Sequence, residues 1–281
     1  MRLPFRPPLD ATALVEFFAR RAVRGVEQVA GGAYRRSLAL DHGDGVLELA
    51  PDGHGVAARF WLDDERDRDV AEHAARDLFD ADADPVAVSG GLADDPLIGH
   101  LVRAAPGRRV PGVVDRAELA VRAVLGQQVS LAGAATLAAR LVAAHGRELA
   151  RPVGEVTHVF PAPAALARAD AVAWPMPRTR ARALQAVCAA AASGDLQLHA
   201  GADRDATRRA LLALPGIGPW TTEYVAMRAL RDPDAFLPTD LGVRHALEQM
   251  GHDPADAVAL AEPWRPFRAY ALQHLWASLT G

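Results

Sequence analysis

Two stretches of this chain place chemically capable residues around a tight turn. The first is LPGIGPWTTEYVAMRAL, Leu214 to Leu230; the second is FLPTDLGVR, which puts Asp240 just beyond Pro238. Pro215 stops one helix, because its ring cannot continue a helical turn. Gly216 and Gly218 are both expected to take positive φ, with apolar Ile217 between them anchoring the turn in a core. Pro219 suits the first position of a new helix, which Trp220 and Thr221 continue. Helix, hairpin and helix then leave backbone N–H groups of Gly216, Gly218 and their neighbours unpaired at the positive end of the second helix. A phosphate fits there with no charged side chain. An ordinary corner between helices would use the same residues. Asp240 also has two readings. It is a helix N-cap, worth roughly 1 kcal/mol, or a fixed carboxylate that stabilises positive charge in a substrate, orients water or takes its proton.

The elements that must position these residues follow from the rest of the chain. It has 281 residues, one or two domains' worth, and half of them are hydrophobic. DATALVEFFARRAV (10–23) reads as a helix behind an N-cap aspartate. AYRRSLAL, GVLELA and GVAARFWL read as strands divided by the turn sequences DHGD and PDGH. DERDRDVAEHAARDLFD (64–80) returns to helix. Residues 1–112 therefore read as a small α+β domain. From 113 the β signal disappears, and residues 113–281 read as all helical with short links, RPVGEVTHVFPAP being one loop.

Composition removes several function classes. The lone cysteine, Cys188, rules out a disulfide framework and a cysteine-ligated cluster. The ten histidines are scattered without metal-ligand spacing, which leaves a metal-dependent hydrolase unsupported; no cofactor or required metal is expected. No apolar run spans a bilayer, and no secretory leader is visible, so a cytoplasmic, membrane-free protein is expected. The formal charge of −4 argues against a general polyanion binder. Residues 1–112 carry 14 arginines against 19 acids, and residues 113–281 carry 17 against 16. Any nucleic acid is therefore expected at the C-terminal part, near PRTRAR (177–182) and RDATRR (204–209). The chain has no lysine.

LPGIGPWTTEYVAMRAL with FLPTDLGVR resembles the hairpin and catalytic-aspartate signature of the helix-hairpin-helix DNA glycosylase superfamily, in its AlkA-type, 3-methyladenine DNA glycosylase II branch. FRPPLD, AYRRSL, RVPGVVDRAELAVRAVLGQQVS and RPFRAYALQHLW extend the resemblance along the chain. It implies an N-terminal α+β domain like one TATA-binding-protein repeat, then an all-α helix-hairpin-helix glycosylase domain of two helical subdomains with a cleft between them. The implied activity is excision of alkylated bases from double-stranded DNA by a monomer, associated with the nucleoid of a bacterium. A non-catalytic binder of damaged DNA is the alternative.

The resemblance places the catalytic carboxylate at Asp240. Breaking an N-glycosidic bond leaves an oxocarbenium-like sugar, which such a carboxylate faces. Bifunctional members carry a Schiff-base lysine where this chain has Trp220, so no strand cleavage is expected. The flipped base is expected among Trp220, Tyr224, Trp276 and Phe17, since electron-rich rings hold a cationic base. The DNA phosphate falls to Gly216, Ile217, Gly218 and Thr221. Gln127 or Gln128 is expected to fill the gap left in the duplex, although several relatives have an apolar residue at the place of Gln128. Leu241 replaces an aromatic residue found in some relatives. Arg244 is one turn after Asp240 and is a candidate to pair with it, orient it or reach a phosphate; a plain surface arginine reads equally well. Some superfamily hairpins hold a monovalent cation through carbonyls, here those of Leu212, Leu214 and Ile217.

Overall fold

The computed structural model describes residues 1–199 and 201–279. Helix α1 (Ala11–Ala19) is capped by Asp10, whose carboxylate accepts the Ala13 N–H at 3.0 Å. Strands β1 (Glu27–Ala30), β2 (Ala33–Ala39), β3 (Asp44–Pro51) and β4 (Val56–Leu62) then form one antiparallel meander in that order. Residues 1–3 lie along β4, with Leu3 donating to the Val56 carbonyl at 2.9 Å. α2 (Arg68–Leu78) joins α1 over the sheet. Their shared core holds Leu14, Phe18, Tyr34, Leu47, Leu49 and Leu78. The short EQVA strand β1 carries little apolar alternation and was not foreseen; the Gly31–Gly32 turn, with φ of 59 and 76°, folds it back onto β2.

The helical part comprises α3 (Pro85–Leu92), α4 (Gly99–Ala104), α5 (Arg116–Leu125), α6 (Leu131–His145), α7 (Pro163–Arg168), α8 (Arg178–Ser193), α9 (Arg204–Ala213), α10 (Pro219–Arg228), α11 (Leu241–Gln249), α12 (Ala257–Leu260) and α13 (Arg268–Ser278). Two differences from the sequence reading stand out. The stretch read as a loop after α6 is a hairpin, β5 (Arg147–Val153) with β6 (Val156–Val159). Leu149, Val156 and Val159 pack on Val46 of β3, and Arg147 pairs with Asp44. A distant sheet face supplies the partner that local periodicity could not reveal. The end of the β signal also put the domain boundary at 112. Val88, Leu92, Ile98, Val102 and Val110, all before it, instead share a core with α11 and α13.

Two cores divide the helices. One contains Leu119, Leu125, Leu141, Leu166, Leu184 and Val187 from α5 to α8. The other contains Leu92, Val243, Leu247, Trp264 and Leu272. α10 belongs to both: Val225, with Ala229 just past its end, enters the first, Ala226 and Met227 the second. Among the described residues, no helix is long and apolar enough to cross a membrane.

Candidate active-site cleft

The turn between α9 and α10 has the hairpin form, but its glycines do different things. Gly216 has φ of 75°, and a Cβ there would lie 2.9 Å from the Ala183 Cβ of α8. Both conformation and space demand glycine. Gly218 instead has φ of −107° and ψ of 179°, an extended N-cap, so the expectation of positive φ at both glycines is corrected. A Cβ at Gly218 would meet nothing within 4 Å. Ile217 is buried, Pro219 opens α10, and Thr221 is buried behind them. The Leu214 carbonyl already accepts the Ile217 N–H at 3.3 Å, so one of the three carbonyls considered for a cation has a protein donor.

The α5–α6 loop abuts this hairpin. Gln127 donates from Nε2 to the Gly216 carbonyl at 3.1 Å and to the Thr221 hydroxyl at 2.9 Å. It is a strut between loop and hairpin, not a free wedge. Gln128 is exposed at the tip with φ of 57°, flanked by exposed Val129 and Leu131. Those apolar neighbours escaped the sequence reading, which weighed only the glutamines. Of the two arginine groups, Arg178 and Arg182 stand exposed at the start of α8, beside Gly216. Arg208 is instead held by Glu223 at 2.7 Å and Asp232 at 2.5 Å, with Arg204 3.5 Å from Asp232.

Asp240 is both an N-cap and a buttressed carboxylate. Oδ1 accepts the Val243 N–H at 3.1 Å and the Trp276 Nε1–H at 2.8 Å. Oδ2 accepts the Trp220 Nε1–H at 2.9 Å. Three donors from α10, α11 and α13 thus fix one carboxylate at the start of α11, where the helix dipole favours negative charge. Gly242, unnoticed in the sequence, permits this: a Cβ there would lie 2.9 Å from the Trp276 ring. Arg244 does not orient Asp240. Its side chain is exposed, with no hydrogen bond or ion pair among the described residues. Leu241 is 83% exposed beside the carboxylate.

Asp240, Trp220, Tyr224 and Trp276 line a cleft of about 490 Å³ together with Phe17 and Gln273. The expected cleft lay between two helical subdomains; α1 of the N-terminal unit forms a third wall. Trp220 and Tyr224 are stacked, 5.2 Å apart and 8° from parallel. Phe17 lines the cleft, but the Arg21 guanidinium lies 3.7 Å from its ring centre and that of Arg228 5.0 Å away. Cations of the protein already occupy ring surface reserved, in the sequence reading, for a cationic base. Burial lowers the Arg21 pKa to about 10, against the pull of Tyr224. Among the described residues, no cluster of His, Cys, Asp or Glu could hold a metal ion.

Residues 1–115 match the family model described as the AlkA N-terminal domain. Over 279 residues the chain is 38% identical to DNA-3-methyladenine glycosylase 2 of Escherichia coli, covering 98% of this chain and 95% of that protein. The chain belongs to the AlkA family of DNA-3-methyladenine glycosylases. It is also 46% identical over 282 residues to a Mycobacterium tuberculosis protein named "Probable bifunctional transcriptional activator/DNA repair enzyme AlkA", covering 99% of this chain. It spans only 57% of that relative's length. The 3-methyladenine DNA-glycosylase from Archaeoglobus fulgidus superposes with a TM-score of 0.85 at 20% identity, covering 99% and 97% of the two chains, and so shares the family's fold.

Proposed function

We propose that this member is a monofunctional glycosylase, which removes 3-methyladenine-type alkylated bases from double-stranded DNA by hydrolysing the N-glycosidic bond. The observation that carries the reading is Asp240, fixed by two indole N–H groups and the first turn of α11 on the wall of the cleft. Duplex DNA hides the bond, so the nucleotide turns out into the cleft. The hairpin N–H groups at the start of α10 take a backbone phosphate. As the bond lengthens, positive charge grows on the sugar, and the preorganised carboxylate faces it. Asp240 also takes the proton of the attacking water. Glycoside hydrolases commonly need a second, protonated carboxyl for a poor leaving group. An alkylated purine already carries positive charge and leaves without one. The absence of lysine denies the enzyme a side-chain amine for a Schiff base, so an abasic site remains.

Asp240→Asn tests the reading. Release of 3-methyladenine from methylated duplex DNA should vanish while abasic-site DNA is still bound, and borohydride should trap no wild-type adduct. Retention of more than about a tenth of wild-type turnover, a barrier change under ~1.4 kcal/mol, would remove Asp240 from the chemistry.

A further inference from the structure

The loop between α5 and α6 presents a side chain that the fold itself does not use. Gln128 has φ of 57°, in the left-handed region that disfavours residues other than glycine. Such strain persists only where the surroundings enforce it. Bonds on both sides of the tip do so here. The Gln127 amide donates to the Gly216 carbonyl at 3.1 Å and to the Thr221 hydroxyl at 2.9 Å. The Arg180 guanidinium donates to the Gln127 carbonyl at 2.7 Å. The Ser130 hydroxyl, capping α6, accepts the Gly133 N–H at 3.1 Å. The Gln128 side chain between these anchors is exposed, with no hydrogen bond to it among the described residues. Gly126 before it and Leu131 after it line the cleft that holds Asp240. The tip therefore stands at the mouth of that cleft.

We propose that the Gln128 amide takes the place of the flipped nucleotide and pairs with the base left opposite it. The inference rests on the glycosylase reading, because a nucleotide turned into the cleft leaves its gap at the cleft mouth. Filling that gap was expected of a glutamine; the pairing follows from the chemistry of the amide. A base that stays in the stack has lost its partner, and polar groups left unmet there are costly. All four bases carry a donor beside an acceptor on the edge that formerly paired. A primary amide carries the same two groups, and turning it over suits either order. Gln128 thus meets whichever base is opposite and selects none. Val129 and Leu131, apolar and exposed beside it, have no such groups. Gln127 has them, but its amide is committed to the hairpin.

The test is binding to duplexes that carry a tetrahydrofuran abasic analogue, which needs no bond cleavage. Opposite the analogue stands thymine, cytosine, or difluorotoluene, a thymine-shaped ring without pairing groups. Gln128→Leu should lose about tenfold in affinity opposite thymine and opposite cytosine. Opposite difluorotoluene it should lose little, since removing both partners of a hydrogen bond is nearly neutral while removing one is not. Gln128→Gly should show the same pattern with a denaturant midpoint equal to or above wild type, because glycine takes this φ without strain. Equal losses against thymine and difluorotoluene mean that the side chain only fills space, and overturn the pairing. Unchanged affinity against all three overturns the contact altogether. A loss confined to thymine, sparing cytosine, overturns the indifference to base identity. A lowered midpoint in Gln128→Gly makes Gln128 a residue of the fold and overturns the proposal. Each of these leaves the glycosylase reading standing. Wild-type protein that shows the thymine dependence yet releases no 3-methyladenine overturns the glycosylase reading and keeps the pairing.

Discussion

Asp240 owes its position to two indole edges, and this changes what Trp220 and Trp276 are expected to do. The sequence reading gave them ring faces for a cationic base; in the fold, their N–H groups hold the catalytic candidate. Trp276→Phe separates the roles, since it keeps a ring and deletes the donor. Losing a hydrogen bond to a charged group costs ~1.5–3 kcal/mol, so single-turnover base release should fall about 10- to 100-fold. A rate near wild type would return Trp276 to stacking alone. Asp240 and Trp276 were picked out through the family resemblance, and the scarcity of indoles in the chain added weight to Trp220 and Trp276. The direction each ring faces was not legible, because it depends on the approach of α13 to α11 at Gly242.

At the scale of elements, the hairpin divides its labour between two glycines. Gly216 serves the fold, and Gly218, extended with open space about it, is proposed to serve the approach of a ligand. Gly216→Ala should cost ~1–2 kcal/mol of unfolding free energy for the left-handed backbone alone, with the Ala183 contact in addition. Gly218→Ala should leave denaturant stability nearly unchanged and weaken DNA binding without regard to sequence. Equal stability losses, or unaltered affinity in Gly218→Ala, would contradict that division. PGIG showed the turn from the sequence but not which glycine does which job; that depends on α8 passing beside the first. The β5–β6 hairpin shows the same limit more strongly. Its strands exist because β3 offers them an apolar face.

Across the whole molecule, a buried ion network ties the N-terminal sheet to α5. Arg36 donates to Glu118 at 2.7 Å, and Arg122 to Glu118 at 2.8 Å and to Glu27 at 2.9 Å. Burial alone would raise the Glu27 pKa; Arg122, Arg36 and the Tyr34 hydroxyl outweigh it and hold it below the ordinary 4.5. A depressed carboxylate contributes stability above its unfolded pKa, and that contribution is lost as pH falls through the folded value. His274 behaves differently. Burial first, and the charge of Arg108 second, push it from 6.5 down to about 4. It stays neutral in the fold while the unfolded chain takes up a proton, so stability already declines as pH drops from 6.5 toward 4. Denaturant midpoints should thus fall in two steps, one between pH 6.5 and 4 and one below about 4.5. His274→Asn should flatten the first step and leave the second. A single unaltered step in that variant would show that His274 does not set the first.

The sharing of α10 between both helical cores has a mechanical consequence. A molecule bends where a seam runs between its lobes, and here the helix that follows the hairpin is packed on two sides by different lobes. Opening such a joint would tear Val225 from one interior or Met227 from the other. On the proposed function such a protein is a stiff jig, and the work of bending falls on the duplex. Duplex steps that kink cheaply admit the jig sooner than stiff ones. Where a damaged base sits along the genome, and how pliant its neighbours are, would then govern how soon it is found, before the chemistry of the lesion is consulted.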